Sequence, residues 1–271
     1  MIAWRFVDTP LLIAGPCVVE DDRTMMLIAE RLAAIAHRHR IPVCFKASFD
    51  KANRARGDSP RGPGMSAGLD ALVRVREATG LPVLTDIHES SQVADVAAVV
   101  DVLQIPAFLS RQTDLLVAAG RSGKPVNIKK GQWMQAEAMR GAVDKVRAGG
   151  SSEIAVTERG TFFGYGDLVV DYRNFALMRE ATGAPALYDA THSVQQPGRA
   201  AGGASGGQRE HIPALLAAAA AAGADGFFIE THPDPAHALS DAATQWPLAE
   251  LDGLIDRTLD IWRAAAGRTG V

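Results

Sequence analysis

The sequence predicts a (β/α)8 barrel in a single domain, and three observations predict it. Short apolar runs alternate with segments of helical periodicity from end to end, eight of each. The 271 residues divide into units of roughly 34 residues, the repeat of this barrel. Side chains able to do chemistry gather at one end of the apolar runs and not at the other.

The first run, 11–15, reads LLIAG and precedes a helical segment at 22–39. The second, 42–46, precedes a helix at 67–79. "ATGLPV" then places a Gly after that helix and a Pro before the third run, 82–86. Gly closes a helix and Pro prevents its continuation. A helix at 91–99 leads to the fourth run, 101–105, and a helix at 113–120 follows. "RSGKPV" repeats the Gly–Pro punctuation before the fifth run, 125–129. A helix at 135–148 leads to 154–158, and a helix at 172–181 ends in "ATGAPA" before 186–189. An alanine-rich helix at 209–222 leads to the last run, 227–230, and the last helix spans 248–265. Near-continuous apolar runs suit parallel strands covered on both faces. A doubly wound open sheet is the competitor. The count of eight, and the lack of a Gly-rich dinucleotide fingerprint after the first run, favour the barrel.

Composition excludes several classes. Hydrophobic residues make up 47% and charged residues 22%, so the chain is not a disordered one. Lys plus Arg number 28 and Asp plus Glu 31, a net charge of −3. That balance gives no footprint for nucleic acid or an anionic membrane. The domain reads as 1–271, with a short N-terminal extension at about 1–10. Arg5 and Asp8 interrupt any signal-peptide core in the first twelve residues. The uncharged stretch 212–224 falls short of the ~18–20 residues of a membrane span and reads as a buried or half-buried helix. Cys17 and Cys44 are too few for a disulfide framework, and reduced thiols suit a cytoplasmic protein.

The run ends carry the chemistry. Cys17 follows the first, Lys46 and Ser48 end the second, and Asp86 and His88 end the third. Gln104 lies in the fourth with Arg111 beyond it, and Lys129 and Lys130 end the fifth. Glu158 and Arg159 end the sixth, Asp189 and His192 follow the seventh, and Glu230 and His232 end the eighth. In a barrel these ends converge on one mouth, where active sites sit. Charges that merely marked the solvent boundary would appear at both ends.

Two chemistries sort out of this set. Lys46, Lys51, Arg54, Lys129, Lys130 and Arg159, with Arg111 nearby, are cations suited to a multiply anionic ligand, and phosphorylated substrates are the natural inference. Solvated loop charge is the alternative for Lys51 and Lys130. Cys17, His192, Glu230 and Asp241 offer a thiolate, an imidazole and two carboxylates from neighbouring loops. That mixture suits Fe, Zn, Mn or Co rather than Ca or Mg. His88 and His232 compete as ligands, and Cys44 reads as inert core. The Gly-rich stretch 195–208 reads as a lid over the mouth.

"LIAGPCVVE", "FKASFDKANRAR", "LPVLTDIHES", "DVLQIPAFLSRQTDLL", "KPVNIKKGQWM", "TERGTFFGYGDLVVDYR", "LYDATHSVQQPG" and "FIETHPDPAHALSDAATQWPL" together resemble the 3-deoxy-D-manno-octulosonate 8-phosphate synthases, over nearly the whole chain. "KANR" at 51–54 separates that family from the related heptulosonate synthases, which take a four-carbon sugar phosphate. The resemblance implies a cytoplasmic, homotetrameric transferase feeding lipopolysaccharide synthesis. Its reaction condenses phosphoenolpyruvate with D-arabinose 5-phosphate and water and releases phosphate. Lys46, Lys51, Gln104, Lys129 and Arg159 match positions that hold phosphoenolpyruvate. Asn53 and Arg54 match positions that reach the sugar phosphate, the arginine from a neighbouring subunit. Asp86 and Arg111 lie in matching mouth segments and, with Ser48 at the end of the second run, make up the rest of the substrate-binding set. Cys17, His192, Glu230 and Asp241 match the ligands of the metal-dependent class; the metal-independent class has Asn in place of Cys17. The family usually continues "KANR" with Ser-Ser, whereas this chain has Ala55 and Arg56. A hydroxyl that could bond the sugar phosphate is therefore missing. The competing readings are a heptulosonate synthase and a non-catalytic sugar-phosphate-binding barrel.

Overall fold

In the computed structural model, which describes residues 9–53, 57–163, 166–199 and 206–266, eight parallel strands close into a barrel. They are β1 (Leu11–Gly15), β2 (Val43–Lys46), β3 (Val83–Asp86), β4 (Val102–Ile105), β5 (Val126–Lys129), β6 (Ile154–Glu158), β7 (Ala186–Asp189) and β8 (Gly226–His232). Each pairs with its successor, and β1 pairs with β8 from Leu11↔Gly226 to Gly15↔Glu230. Eight helices surround them: α1 (Asp22–His39), α2 (Met65–Thr79), α3 (Val93–Val99), α4 (Thr113–Arg121), α5 (Met139–Gly149), α6 (Asn174–Thr182), α7 (Ile212–Ala221) and α8 (Leu248–Ala266).

The strands are buried on both faces, so alternate residues serve two cores. Leu12, Ala14, Val43, Phe45, Val83, Leu103 and Ile105 pack in one cluster with helix residues such as Ile28, Leu32, Leu72, Val96 and Leu116. The opposite register forms a separate buried cluster inside the barrel: Leu11, Ile13, Cys44, Leu84, Val102, Ala155, Leu187 and Phe228. Each large apolar side chain fully buried this way contributes about 1.5–3 kcal/mol. The seam between β1 and its neighbours is tight. A side chain at Gly15 would bring its Cβ within 2.0 Å of the Lys46 carbonyl oxygen. Glycine there lets the end of β1 lie against the residue that opens the active-site mouth.

Helix ends follow the expected punctuation. Asp21 caps α1 by accepting the Thr24 backbone N–H at 3.0 Å. Gly80 and Gly183 close α2 and α6 in the left-handed conformation. Four helices start later than the periodicity suggested, α3 and α6 by two residues, α7 by three and α5 by four. Residues 135–138 make i→i+3 backbone bonds, including Ala138 N–H to Gln135 O and Met139 N–H to Ala136 O, so α5 begins at Met139. Arg209–His211 is a 3-10 turn that precedes α7. Both cysteines are free thiols. Among the described residues no helix is long and apolar enough to cross a membrane.

Candidate active site at the barrel mouth

Along the inward register, six of the eight strands turn from apolar or neutral to ionisable or amide as they reach their C-terminal ends. Cys44 is followed two residues on by Lys46, Leu84 by Asp86 and Val102 by Gln104. Asn127 is followed by Lys129, Leu187 by Asp189 and Phe228 by Glu230. The lower residues fill the barrel. Above them lies a cavity of about 670 Å³ whose walls include Lys46, Lys51, Asn53, Asp86, Gln104, Lys129, Arg159, Asp189, His192 and Asp241. That size is within the range of small-molecule sites.

The cations are held by buried partners. Lys46 donates to the Cys17 carbonyl at 2.8 Å and to Glu230 Oε1 at 2.5 Å. Lys129 donates to Asp189 Oδ2 at 2.6 Å, and its ammonium lies 3.1 Å from the centroid of the Phe228 ring. Burial lowers the Lys129 pKa to about 8, although Asp189 works in the other direction. Lys51 donates to Ser48 Oγ at 2.9 Å, and the Ser48 hydroxyl donates to Asp86. Burial opposes the Lys51 charge, but Cys17, Glu230 and Asp86 outweigh it and raise its pKa above the ordinary lysine value. Burial also opposes the Asp86 charge, yet Lys46 and Lys51 hold its carboxyl well below the usual range. Arg159 donates through Nη2 to Gln195 Oε1 at 2.7 Å, while its buried Nη1 has no partner among the described residues. An unspent guanidinium donor on a cavity wall is suited to a carboxylate or phosphate.

A second cluster lies beside this cavity. Among the described residues, Cys17, Glu230 and Asp241 each offer one ligand atom, all within 4.8 Å of one another. Cys17 Sγ is 3.3 Å from Asp241 Oδ2 and 2.9 Å from Ser240 Oγ. His192 Nε2 is 3.6 Å from both Glu230 Oε1 and Asp241 Oδ2. Its other ring nitrogen, Nδ1, lies 2.7 Å from Asp189 Oδ2. Metal-bound histidines are oriented by such a carboxylate on the far nitrogen. Glu230 Oε2 is buried with no partner among the described residues. Burial, then Asp241 and Glu230, push the Cys17 thiol well above its ordinary pKa. The donor set of one sulfur, one nitrogen and carboxylate oxygens fits a divalent transition metal, whose charge would reverse that penalty and use the orphaned oxygen.

Not every expected residue reaches the cavity. Ser48 is buried behind Asp86 and Lys51 and acts through them. Arg111 is exposed and is not among the residues lining the cavity. Its backbone carbonyl accepts Lys145 Nζ at 3.0 Å. Arg54, Ala55 and Arg56 lie outside the described residues. So does the tip of the expected lid, whose stem pairs Gln195–Gln196 with Gly206–Gly207. Lys130 is buried away from the cavity, 3.5 Å from Glu158. His232 lies 3.3 Å from Glu20 Oε2 and His88 packs edge-on against Phe49, so neither joins the thiol–carboxylate cluster. Sequence reasoning noted Asp189 only as a strand end and passed over Gln195 and Ser240. Asp189 bridges Lys129 and His192, and the signal was its inward register, two residues after Leu187.

A family model described as the DAHP synthetase I family matches residues 7–259. A 2-dehydro-3-deoxyphosphooctonate aldolase of Alkalilimnicola ehrlichii is 52% identical over 263 residues, covering 97% of this chain and 94% of its own. The protein of that name from Nitrosococcus oceani is 54% identical over 245 residues, 90% of this chain and 87% of its own. The one from Stenotrophomonas maltophilia is 50% identical over 256 residues, 94% of this chain and 92% of its own. The chain belongs to the DAHP synthetase I family. The barrel of this DAHP synthetase I family member, from Leu11 to His232, falls entirely inside the matched range, and so do both side-chain clusters at its mouth.

Proposed function

We propose that this chain condenses phosphoenolpyruvate with D-arabinose 5-phosphate and water to give 3-deoxy-D-manno-octulosonate 8-phosphate and inorganic phosphate. The relatives' shared name specifies an eight-carbon phosphosugar acid. The observation that carries the reading is the convergence of Lys46, Lys51, Lys129 and Arg159 on one cavity. Two phosphorylated substrates must be held side by side, and their mutual repulsion needs neutralising. Fixed cations do this while aligning the reacting atoms.

In this reading Lys129 and the free Nη1 of Arg159 take the carboxylate and phosphate of phosphoenolpyruvate. Asp189 and Gln195 hold those two cations in place. Lys51 extends the cationic wall toward Asn53 and the pentose phosphate. C3 of phosphoenolpyruvate forms a bond to the aldehyde carbon, whose oxygen takes up a proton. Water adds at C2, and as its oxygen becomes the C2 ketone its two protons go to the new hydroxyl and to the departing phosphate, with the bond from C2 to the phosphate oxygen breaking. Cys17, His192, Glu230 and Asp241 would hold a divalent ion of Fe, Zn, Mn or Co. When bound, such an ion supplies positive charge that orients an oxygen ligand or lowers the pKa of water. Asp189 fixes the ring of His192 for that role.

The test is phosphate release from phosphoenolpyruvate with arabinose 5-phosphate or with erythrose 4-phosphate, each before and after chelation. Activity with the five-carbon sugar that chelation abolishes and a divalent metal restores is the expected result. Chelator-resistant turnover would remove the metal from the reading. Activity with erythrose 4-phosphate alone would reassign the substrate. The same reading includes a homotetramer in the cytoplasm. Phe108 and Trp133 stack while 48% and 46% exposed near the mouth, a surface that suits a second subunit. A single-chain mass in sedimentation equilibrium would count against it.

A further inference from the structure

Five side chains cross the barrel in one hydrogen-bonded line. Thr157 on β6 meets Asn127 on β5 at 2.7 Å, and Asn127 meets Gln104 on β4 at 2.8 Å. Gln104 meets Asp86 on β3 at 2.5 Å, and Ser48 beyond β2 closes the line on the other carboxylate oxygen. All five are buried. Only Gln104 and Asp86 line the cavity.

The carboxylate dictates the direction of every bond. Asp86 is ionised and only accepts, because Lys46 and Lys51 hold its proton off. The Gln104 atom facing it is therefore Nε2, and Oε1 faces Asn127. Asn127 must then donate through Nδ2, and its Oδ1 must accept from the Thr157 hydroxyl. The Gln104 amide has one N–H left and a committed oxygen. What it offers the cavity is a donor, the polarity an anion needs.

We propose that Thr157 and Asn127 are positioning residues for the substrate anion: they lock the Gln104 amide with its N–H side toward the cavity. The inference rests on the phosphoenolpyruvate reading above. Without Thr157 the Asn127 amide is free to turn its oxygen toward Gln104 Oε1, and the repulsion drives the Gln104 amide off the position from which its remaining N–H meets the anion.

Phosphoenolpyruvate binding by calorimetry and phosphate-release kinetics test this on the full-length, metal-loaded protein. Thr157→Val is nearly isosteric and uncharged. We expect its phosphoenolpyruvate affinity to fall about tenfold, the scale of one lost charge-assisted hydrogen bond, with KM rising more than kcat falls. Asn127→Leu should show the same pattern and supplies the result if the valine variant does not fold. Thr157→Ser keeps the donor and should restore affinity. The deciding arm is the double variant Thr157→Val with Gln104→Leu. If Thr157 acts through Gln104, its loss adds nothing once the amide is gone. Additive losses, or equal weakening by Val and Ser, would overturn the proposal. So would wild-type affinity in Thr157→Val or, where that variant is unfolded, in Asn127→Leu. A wild-type protein that neither binds phosphoenolpyruvate nor releases phosphate would remove the underlying reading and this inference with it. An active wild type with additive variants removes the inference alone.

Discussion

Lys46 and Glu230 form an ion pair of 2.5 Å in which both side chains are closed to solvent. The pair ties the cationic wall to the thiol–carboxylate cluster, because Glu230 also lies 3.6 Å from His192. Glu230→Gln keeps the shape and leaves the Lys46 ammonium buried without its paired carboxylate. Removing one member of a buried pair costs about 3–5 kcal/mol. Chemical denaturation of the chelated variant should show a loss of that order. Divalent-metal binding, read by competition with a chromogenic chelator, should fall as well. Unchanged stability would mean that the pair is not closed in solution.

Cys17 separates a metal role from a packing role. Cys17→Ala removes a sulfur that touches Ser240 and Asp241 but leaves the backbone that accepts Lys46. We expect the variant to fold, to lose its divalent metal and to lose most turnover. Far-UV circular dichroism, metal analysis and phosphate release check the three parts. Full turnover by the chelated variant would refute the metal assignment. Cys17→Asn is the informative companion. The family resemblance leads us to expect that it retains activity without metal.

Asp241 has a φ of 51°, a left-handed conformation that non-glycine residues seldom adopt. Its carbonyl accepts the Thr244 and Gln245 backbone N–H groups at 2.9 and 3.0 Å, which hold the turn. Asn tolerates this region better than Ala does. Asp241→Ala should therefore be less stable than Asp241→Asn by about 1 kcal/mol, although neither offers the full carboxylate. Thermal melting of the two chelated variants measures the difference. Equal melting temperatures would show that the turn relaxes.

These residues mark how much the sequence discloses. Lys46, Asp86, Lys129 and Glu230 were legible because buried parallel strands read as apolar runs, and a charge on the inward register at the end of such a run faces the mouth. Glu158 ends β6 on the other register and is buried instead against Lys130 and Asn174. Cys17, His192, Glu230 and Asp241 were harder. Only barrel closure joins them, through the β1–β8 pairing, so no local spacing announces the set. Arg111 carried the right charge in the right segment and yet points out of the cavity, because charge does not report direction beyond a strand's end. Asn127 and Thr157 were invisible for the opposite reason. They sit within buried strands, where a polar residue shows its partner only once the strands are aligned side by side.

The lowered pKa of Lys129 makes a pH prediction with a definite sign. Burial brings it to about 8, below the ordinary value of 10.5. Below pH 8 the side chain is charged and can hold an anion. Above pH 8 a growing fraction is neutral, and an anion that binds the charged form must restore the proton. Phosphoenolpyruvate affinity should therefore fall above about pH 8, approaching tenfold per pH unit. Binding near pH 9 should take up close to one proton, because the bound anion stabilises the ammonium. Calorimetry in two buffers of different ionisation enthalpy reads that proton directly. Lys129→Met removes the titrating group, so its weaker binding should carry no proton uptake and no break near pH 8. If the wild-type protein binds equally well from about pH 7 to about pH 9.5, Lys129 is not the group that meets the anion.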